Sequence, residues 1–200
     1  MTAANIAVVL LAAGQSRRMG QDKLLKTLPN GKSLLEDRIR MIAATGVTPF
    51  VALPENSQRT RLLETLPAVV VPVKDQTLGL GHSLSTAVAA IPAQIDGIMV
   101  MLCDLPDLTS NDLSAMMAQF DGSSILRGAS EDGIPGHPVI FPMTYRTQLM
   151  TITGDKGAQD VLQNSPVTLH RLPGQNAVLD LDTPEDWAEW EKETVRSPRK

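Results

Sequence analysis

The amino-acid sequence predicts an α/β fold, with a mostly parallel sheet covered by helices, in one domain over residues 1–195. The first observation is an apolar, β-branched run at residues 6–11, which is typical of a strand buried on both faces of a parallel sheet. The second is the β-α-β-α-β alternation that follows, which favours a parallel sheet with right-handed crossovers. The third is size, because 200 residues with 42% apolar content suit one well-filled core.

The loop after the first strand carries the strongest functional signal. Ala12 and Ala13 remove side-chain bulk where the strand ends, and Gly14 and Gly20 permit positive φ angles. Small residues let backbone N–H groups approach phosphate oxygens, and cations neutralise a triphosphate. Three cations lie in this stretch: Arg17, Arg18 and Lys23. A solvated basic turn is the alternative; a dinucleotide fingerprint and a P-loop are excluded because neither G-x-G-x-x-G nor G-x-x-x-x-G-K-[ST] occurs.

The next elements complete the alternation. A helix is predicted from residue 34, with Ser33 as its N-cap and Gly46 just beyond its end. A strand follows at residues 47–53, then a helix to residue 66 that Ser57 can cap, then a strand at residues 69–73. Ligands of such sheets bind at the carboxyl ends of the strands, where the basic loop lies.

A glycine-rich segment at residues 79–84 follows the third strand and leads into a predicted helix at residues 83–91. Gly79 and Gly81 would permit close approach of a flat ligand, and a helix start offers free N–H donors. Equally, the segment can be a flexible turn with Ser83 as its N-cap. Both interpretations remain open at this point.

A second strand end carries an aspartate. The run at residues 98–102 leads into Asp104, and Pro106 fixes the backbone after it. Mg²⁺ suits such a position, since it prefers oxygen ligands and is held by one or two carboxylates with substrate phosphates. The alternative is that Asp104 is an ordinary turn residue. Asp107 is a weaker candidate, because it can simply precede the cap of a helix at residues 110–120.

The carboxyl-terminal third contains shorter elements. Strands are predicted at residues 125–129, after the loop that holds His137, and around Leu169 and Val178, with a short helix to residue 164. Thr183 and Pro184 suit the start of a last helix running towards residue 195. That accounts for most of residues 180–187, but not for Asp182, which could reach a cation together with Asp104. Residues 196–200 are expected to form a polar tail.

Three of these motifs resemble those of the MobA-like nucleotidyltransferases, and most closely the MocA type, the molybdenum cofactor cytidylyltransferases. The stretch from Leu11 to Lys23 resembles L-A-A-G-x-S-x-R-M-G-x-x-K, the segment Cys103-Asp104-Leu105-Pro106 resembles the family's metal motif, and residues 180–186 resemble D-I-D-T-P-E-D. The resemblance implies a three-layer, Rossmann-like domain with a mostly parallel mixed sheet of the nucleotide-diphospho-sugar transferase type.

The resemblance also implies site residues. Arg18, Lys23 and Asp104 would be catalytic, and Asp104 and Asp182 would hold Mg²⁺. The nucleotide would contact Leu11, Ala12, Ala13, Gly14, Arg18, Lys23, Gly79, Ser83 and Asp104. His137 and Lys156 would border the acceptor, Lys156 within a segment that resembles G-D-x-G-A-R but has Gln159 at the arginine position.

The implied reaction is transfer of CMP from CTP to molybdenum cofactor with release of pyrophosphate. A MobA-type guanylyltransferase is the nearest alternative; it usually has glycine at the position of Ala13. A sugar-phosphate or isoprenoid-precursor nucleotidyltransferase is another. A non-enzymatic alternative is a chaperone that delivers the cofactor to a molybdenum hydroxylase client.

Composition narrows the partners and the compartment. The net charge of −4 and the absence of a basic stripe argue against nucleic acid, and no run is long enough to span a bilayer. The single cysteine, Cys103, allows no internal disulfide and fits a reducing compartment. The first apolar run precedes the arginines, which is the wrong order for a secretory signal. We therefore expect a cytoplasmic monomer.

Overall fold

The computed structural model describes residues 4–196, and its strands and helices alternate as the sequence predicts. The strands are β1 Ile6–Leu11, β2 Phe50–Pro54, β3 Val69–Val73, β4 Gly97–Leu102, β5 Ile125–Ala129, β6 Pro135–Pro142 and β7 Val167–Arg171. The α-helices are α1 Leu34–Ala43, α2 Gln58–Leu63, α3 Gly79–Ala89, α4 Ser110–Gln119, α5 Arg146–Met150, α6 Gln159–Gln163 and α7 Pro184–Arg196. Short 3₁₀ turns lie at Arg17–Met19, Lys23–Leu25, Gln76–Leu78 and Met143–Tyr145. Of the predicted polar tail, residues 197–200 lie outside the described residues.

The seven strands form one mixed, mostly parallel sheet in the order β3-β2-β1-β4-β6-β5-β7. Strands β1 to β4 pair in parallel, and β5 pairs in parallel with β7. Strand β6 is antiparallel to both of its neighbours, β4 and β5. The predicted parallel arrangement is confirmed, and β1 and β4 lie side by side, so the two strand ends with predicted functional residues are neighbours.

Two apolar layers cover the two faces of the sheet, which confirms the three-layer arrangement. Alternate residues of β1 enter different layers: Val8 and Leu10 pack with helices α1, α2, α4 and α7, whereas Val9 and Leu11 pack with α3, α5 and α6. All six residues of β1 are buried. This burial on both faces is the reason why the strand is apolar throughout.

Several predicted boundaries are wrong. Strand β2 begins at Phe50 because Pro49 before it has no N–H for the ladder, and α2 ends at Leu63. No strand forms around Val178, because the amides of Val178 and Leu179 both donate to Gln175 O and close a turn. The sequence also gave no indication of the short helix α5.

The glycine-rich segment at residues 79–84 is the first part of α3 and not a flexible turn. Gly81 N donates to Gly154 O at 2.7 Å. A methyl group on Gly81 would lie 2.7 Å from Ile152 Cγ2 and 2.8 Å from Thr153 O. A methyl group on Gly79 would lie 2.4 Å from Asp155 Oδ1. The two glycines therefore permit close packing of α3 against the chain at residues 152–155.

Gly81→Ala should lower the free energy of unfolding by about 1–3 kcal/mol, because the added methyl group overlaps backbone atoms. Helix propensity alone would give the opposite sign, about 1 kcal/mol in favour of alanine. Urea unfolding measures the difference, with Gly14→Ala as the control, since a methyl group there meets nothing within 4 Å. A Gly81→Ala protein as stable as the wild type would contradict the tight packing.

Candidate nucleotide site

A cavity of about 570 Å³ opens at the carboxyl ends of β1 and β4 and at the start of α3. The sequence-predicted nucleotide and metal residues all line it: Leu11, Ala12, Ala13, Gly14, Arg18, Lys23, Gly79, Ser83, Asp104 and Asp182. The fold thus brings together residues that are separated by up to 171 positions in the chain. The sheet accounts for this, because the carboxyl ends of adjacent parallel strands meet at one edge.

The basic loop is held by its own hydrogen bonds. Ser16 has a φ of 51° and Gly20 a φ of 65°, so the positive φ expected at Gly14 occurs at Ser16 instead. Met19 N donates to Ser16 O at 3.0 Å, and the amide of Lys23 donates to Ser16 Oγ at 3.3 Å. Met19 is buried in the core. These contacts fold the loop back so that Lys23 faces the cavity.

Arg59 on α2 is a buried support for this loop that sequence reasoning missed. Its guanidinium group donates to both carboxylate oxygens of Asp22, at 2.7 and 2.8 Å. It also donates to the backbone carbonyls of Ala12 and Gly14, the latter at 2.8 Å. A planar guanidinium suits such a set of acceptors. Arg59 therefore fixes both ends of the loop from behind, away from the cavity.

Asp104 and Asp182 are positioned side by side by backbone contacts. The amide of Leu181 donates to Asp104 O at 3.1 Å. Asp186 then accepts from the amides of Asp182 and Thr183, at 3.2 and 2.8 Å, which starts α7 directly after Asp182. The capping predicted at this helix start is thus present, and it also orients the segment that carries Asp182.

Asp107 has a structural contact on the same side of the sheet. It is buried, and its Oδ1 accepts from Trp190 Nε1 on α7 at 2.6 Å. This contact joins the turn after β4 to the last helix. It supports the interpretation that Asp107 is not a metal ligand.

Lys23 lies between the two carboxylates. Its Nζ donates to Asp104 Oδ2 at 2.7 Å and to Asp182 Oδ1 at 2.6 Å, and Arg18 Nη2 contacts Asp182 Oδ2 at 2.6 Å. Burial alone would lower the pKa of Lys23, but the charge of Asp104 and the hydrogen bonds to both aspartates outweigh it and raise the pKa above its ordinary value. Lys23 is therefore fully charged at neutral pH.

Asp180 is a third carboxyl group on the cavity wall, and sequence reasoning missed it. Its pKa is raised above the ordinary value, first by burial and then by the negative charges of Asp182 and Asp104. This part of the cavity therefore has an excess of negative charge next to the cations of the loop. The only sequence signal for Asp180 would have been its place after the strand predicted around Val178, and that strand does not form.

The donors present fit a hard divalent cation bound together with a nucleotide. Asp104 Oδ1 is buried and has no hydrogen-bond partner within the described residues, so a carboxylate oxygen beside the cavity is free to accept one more contact. Residues 4–196 contain no cluster of three or more His, Cys, Asp or Glu side chains arranged to hold a metal ion. Two carboxylates suit Mg²⁺, which takes its other ligands from phosphates and water.

The two predicted acceptor residues are not on the cavity wall. His137 lies in β6 and not in a loop, with Nδ1 3.4 Å from Val100 O and its amide donating to Ala177 O. Burial lowers the pKa of His137, against the opposing effect of the Val100 contact, so the ring is neutral at pH 7. Lys156 is exposed in a turn, and its neighbour Asp155 lines the cavity instead. Spacing could not separate Asp155 from Lys156, because both lie in one turn.

An α/β sheet with a small-residue basic loop and paired carboxylates at its carboxyl edge defines a nucleotide-binding domain of the nucleotidyltransferase type. Comparison with known families agrees: residues 8–171 match the MobA-like NTP transferase domain. The chain belongs to this family.

Similar proteins agree with this assignment. The chain is 29% identical to the purine catabolism protein PucB of Bacillus subtilis, over 90% of this chain and 92% of PucB. It is 37% identical to a Synechococcus elongatus protein named "Probable molybdenum cofactor guanylyltransferase", over 58% of this chain and 59% of that protein. The crystal structure of Rv0371c from Mycobacterium tuberculosis superposes with a TM-score of 0.82 at 27% identity, covering 94% of this chain and 98% of that one. A second Rv0371c structure is a manganese complex, with a TM-score of 0.78, 26% identity and the same coverage.

No helix within residues 4–196 is both long enough and apolar enough to cross a membrane.

Proposed function

We propose that this protein transfers CMP from CTP to molybdenum cofactor and releases pyrophosphate, with Mg²⁺ held by Asp104 and Asp182. The observation that carries the proposal is the meeting of the loop cations Arg18 and Lys23 with these two carboxylates at one cavity. Cations next to carboxylates suit a bound metal–triphosphate complex, in which both kinds of charge find partners.

The chain's own residues would act by binding and orientation. The loop backbone from Ala12 to Gly14 would receive the nucleotide, and Arg59 would keep that backbone in place. Lys23 and Arg18 would exchange their carboxylate partners for phosphate oxygens and offset the charge on the leaving pyrophosphate. An acceptor phosphate oxygen would attack the α-phosphorus in line, so no covalent nucleophile is required. The metal would supply charge neutralisation between the phosphates when bound.

The experiment is a pyrophosphate-release assay with CTP, GTP, UTP and ATP, with and without molybdenum cofactor and Mg²⁺. We expect pyrophosphate release only when CTP, molybdenum cofactor and Mg²⁺ are all present. The non-enzymatic alternative, a delivery chaperone for a molybdenum hydroxylase, predicts cofactor binding without any release. Release with an acceptor other than molybdenum cofactor would replace the proposed acceptor and leave the nucleotidyltransferase assignment standing.

A guanylyltransferase is the second candidate, because one similar protein carries that name. Ala13 is the feature against it. This residue is 4% exposed and lines the cavity, and in the proposed arrangement its methyl group would lie beside the base and leave less room for a purine than glycine would.

We expect kcat/KM to be higher for CTP than for GTP. In Ala13→Gly, the ratio of the CTP value to the GTP value should be smaller than in the wild type. One methyl group in a pocket is worth about 1–3 kcal/mol, or roughly 10- to 200-fold. Steady-state kinetics with both triphosphates measure the ratio, and the CTP value in the variant is the internal control for damage to the loop. Better use of GTP than of CTP by the wild-type protein would overturn the cytidylyltransferase proposal.

A further inference from the structure

The cavity has a charged end and a second end at the start of α3. The charged end contains the cations of the basic loop and the carboxylates beside β4. The second end is formed by the 3₁₀ turn Gln76–Leu78 and the start of α3, and its polar groups are Gln76, Thr77, Ser83 and the carboxylate of Asp155, none of them a cation. If the proposed function holds, the triphosphate lies with the cations at the charged end, and the nucleobase lies at the second end. The inference rests on that proposed function.

The turn that carries Gln76 is held firmly from both sides. Asp75 Oδ1 accepts from the amide of Thr77 at 2.9 Å and from Thr77 Oγ1 at 2.5 Å. At the other side, the amide of Gly79 donates to Gln76 O. The close packing of Gly79 against Asp155 and Gly154 then fixes the start of α3. The backbone at Gln76 is therefore fixed, and only rotation about its side-chain bonds can turn Oε1 toward a ligand.

The carboxamide of Gln76 has an unused acceptor. Its Oε1 is buried and has no hydrogen-bond partner within residues 4–196, although the residue lines the cavity. A buried polar atom without a partner is unfavourable, so most such atoms in proteins are paired. A donor supplied by a ligand in the cavity would satisfy it.

We propose that Gln76 Oε1 accepts a hydrogen bond from the nucleobase and makes Gln76 a specificity-determining residue for bases that present an amino group. Cytosine presents the N4 amino group as a donor, whereas uracil presents the O4 acceptor at the same place. With the carboxamide in the orientation of the structure, Oε1 would face O4, the two acceptors would repel each other, and Oε1 would again have no partner. Nothing in the sequence pointed to Gln76, because a glutamine in a turn is ordinary.

The test compares triphosphates that differ in this one group. The wild-type protein should bind CTP more tightly than UTP by about three- to tenfold, the range of one neutral hydrogen bond. Gln76→Met keeps a side chain of similar length without the acceptor, and it should bring the CTP/UTP ratio close to one. Gln76→Glu keeps the acceptor and should keep the preference for CTP, even though its charge weakens binding of both triphosphates. Calorimetric titration with each triphosphate and Mg²⁺ gives the ratios.

Gln148→Met is the matched control, since Gln148 is exposed on α5 and does not line the cavity. The CTP/UTP affinity ratio of this variant should equal that of the wild type. A merely structural role for Gln76 would weaken CTP and UTP equally. An unchanged CTP/UTP ratio in Gln76→Met would therefore overturn the inference, while Mg²⁺-dependent pyrophosphate release would still support the proposed function. Failure of the wild-type protein to bind any of the four common triphosphates would overturn both.

Discussion

Asp104→Asn should reduce pyrophosphate release by at least about 10²-fold while the protein stays folded. The change removes one negative charge from the pair that would hold the metal, and loss of a single charge-stabilising group at a reacting phosphate costs about this much or more. The fold should survive, because the Asp104 side chain is 19% exposed at a strand end and asparagine has the same shape. Turnover at saturating Mg²⁺ and CTP, together with a circular dichroism melt, measures both effects.

Asp160→Asn is the matched control, because Asp160 is exposed on α6 and does not line the cavity. It makes the same chemical change without any expected loss of turnover. Asp182→Asn should give a smaller loss than Asp104→Asn, since Asp182 is more exposed. Undiminished Mg²⁺-dependent turnover in Asp104→Asn would refute the metal assignment.

Lys23→Met should weaken both triphosphate binding and turnover, with a combined loss in kcat/KM of about 1.5–3 kcal/mol, or roughly 10- to 150-fold. It should also lower the free energy of unfolding, because Asp104 and Asp182 then face each other without the ammonium group that lies between them. The pKa of Lys23 is raised above its ordinary value of 10.5, so the ammonium group stays charged at every pH below that value. The contribution of Lys23 to stability is therefore present at neutral pH and is lost only at strongly alkaline pH. The stability difference should therefore be constant between about pH 7 and pH 9.

Lys192→Met is the control for the loss of one positive charge, since Lys192 is exposed on α7. It should leave binding, turnover and stability close to those of the wild type. Arg18→Ala should have a smaller effect on stability than Lys23→Met, because the Arg18 side chain is 71% exposed. Normal triphosphate affinity together with normal turnover in Lys23→Met would show that the loop does not bind phosphates.

The division of the cavity into two ends connects these experiments. Asp104 and Lys23 test the charged end, whereas Gln76 at the other end and Ala13 in the loop after β1 test the contacts proposed for the base. Losses confined to turnover and overall affinity should come from the first pair, and changes in the ratio between triphosphates from the second. A variant at the charged end that altered base preference would indicate that the nucleotide lies in the opposite direction along the cavity.

The sequence by itself determined the fold class and the mostly parallel sheet, and it named part of the cavity wall, although not Gln76, Asp155 or Asp180. It could do so because these properties follow from local patterns: the apolar run of β1 reflects burial on both faces, and Asp104 lies two residues after the end of the buried strand β4. Once a parallel sheet was expected, the carboxyl edge placed the loop and the aspartate together. The helix start at Thr183 was equally local, because the capping residues lie within four positions of one another.

Only the tertiary structure decided what the side chains contact. Arg59 donates a hydrogen bond to Ala12, 47 positions away, and Lys23 donates one to Asp182, 159 positions away. Neither contact produces a periodic pattern in the sequence. Glycines at the start of α3 look the same in the sequence whether they face a ligand or pack against another segment, and only the structure shows that Gly81 packs against Gly154. His137 looked like a loop residue until β6 was extended through it by pairing with β5. Local patterns record how much of a residue is buried, whereas the partner that buries it is fixed only when distant segments pack.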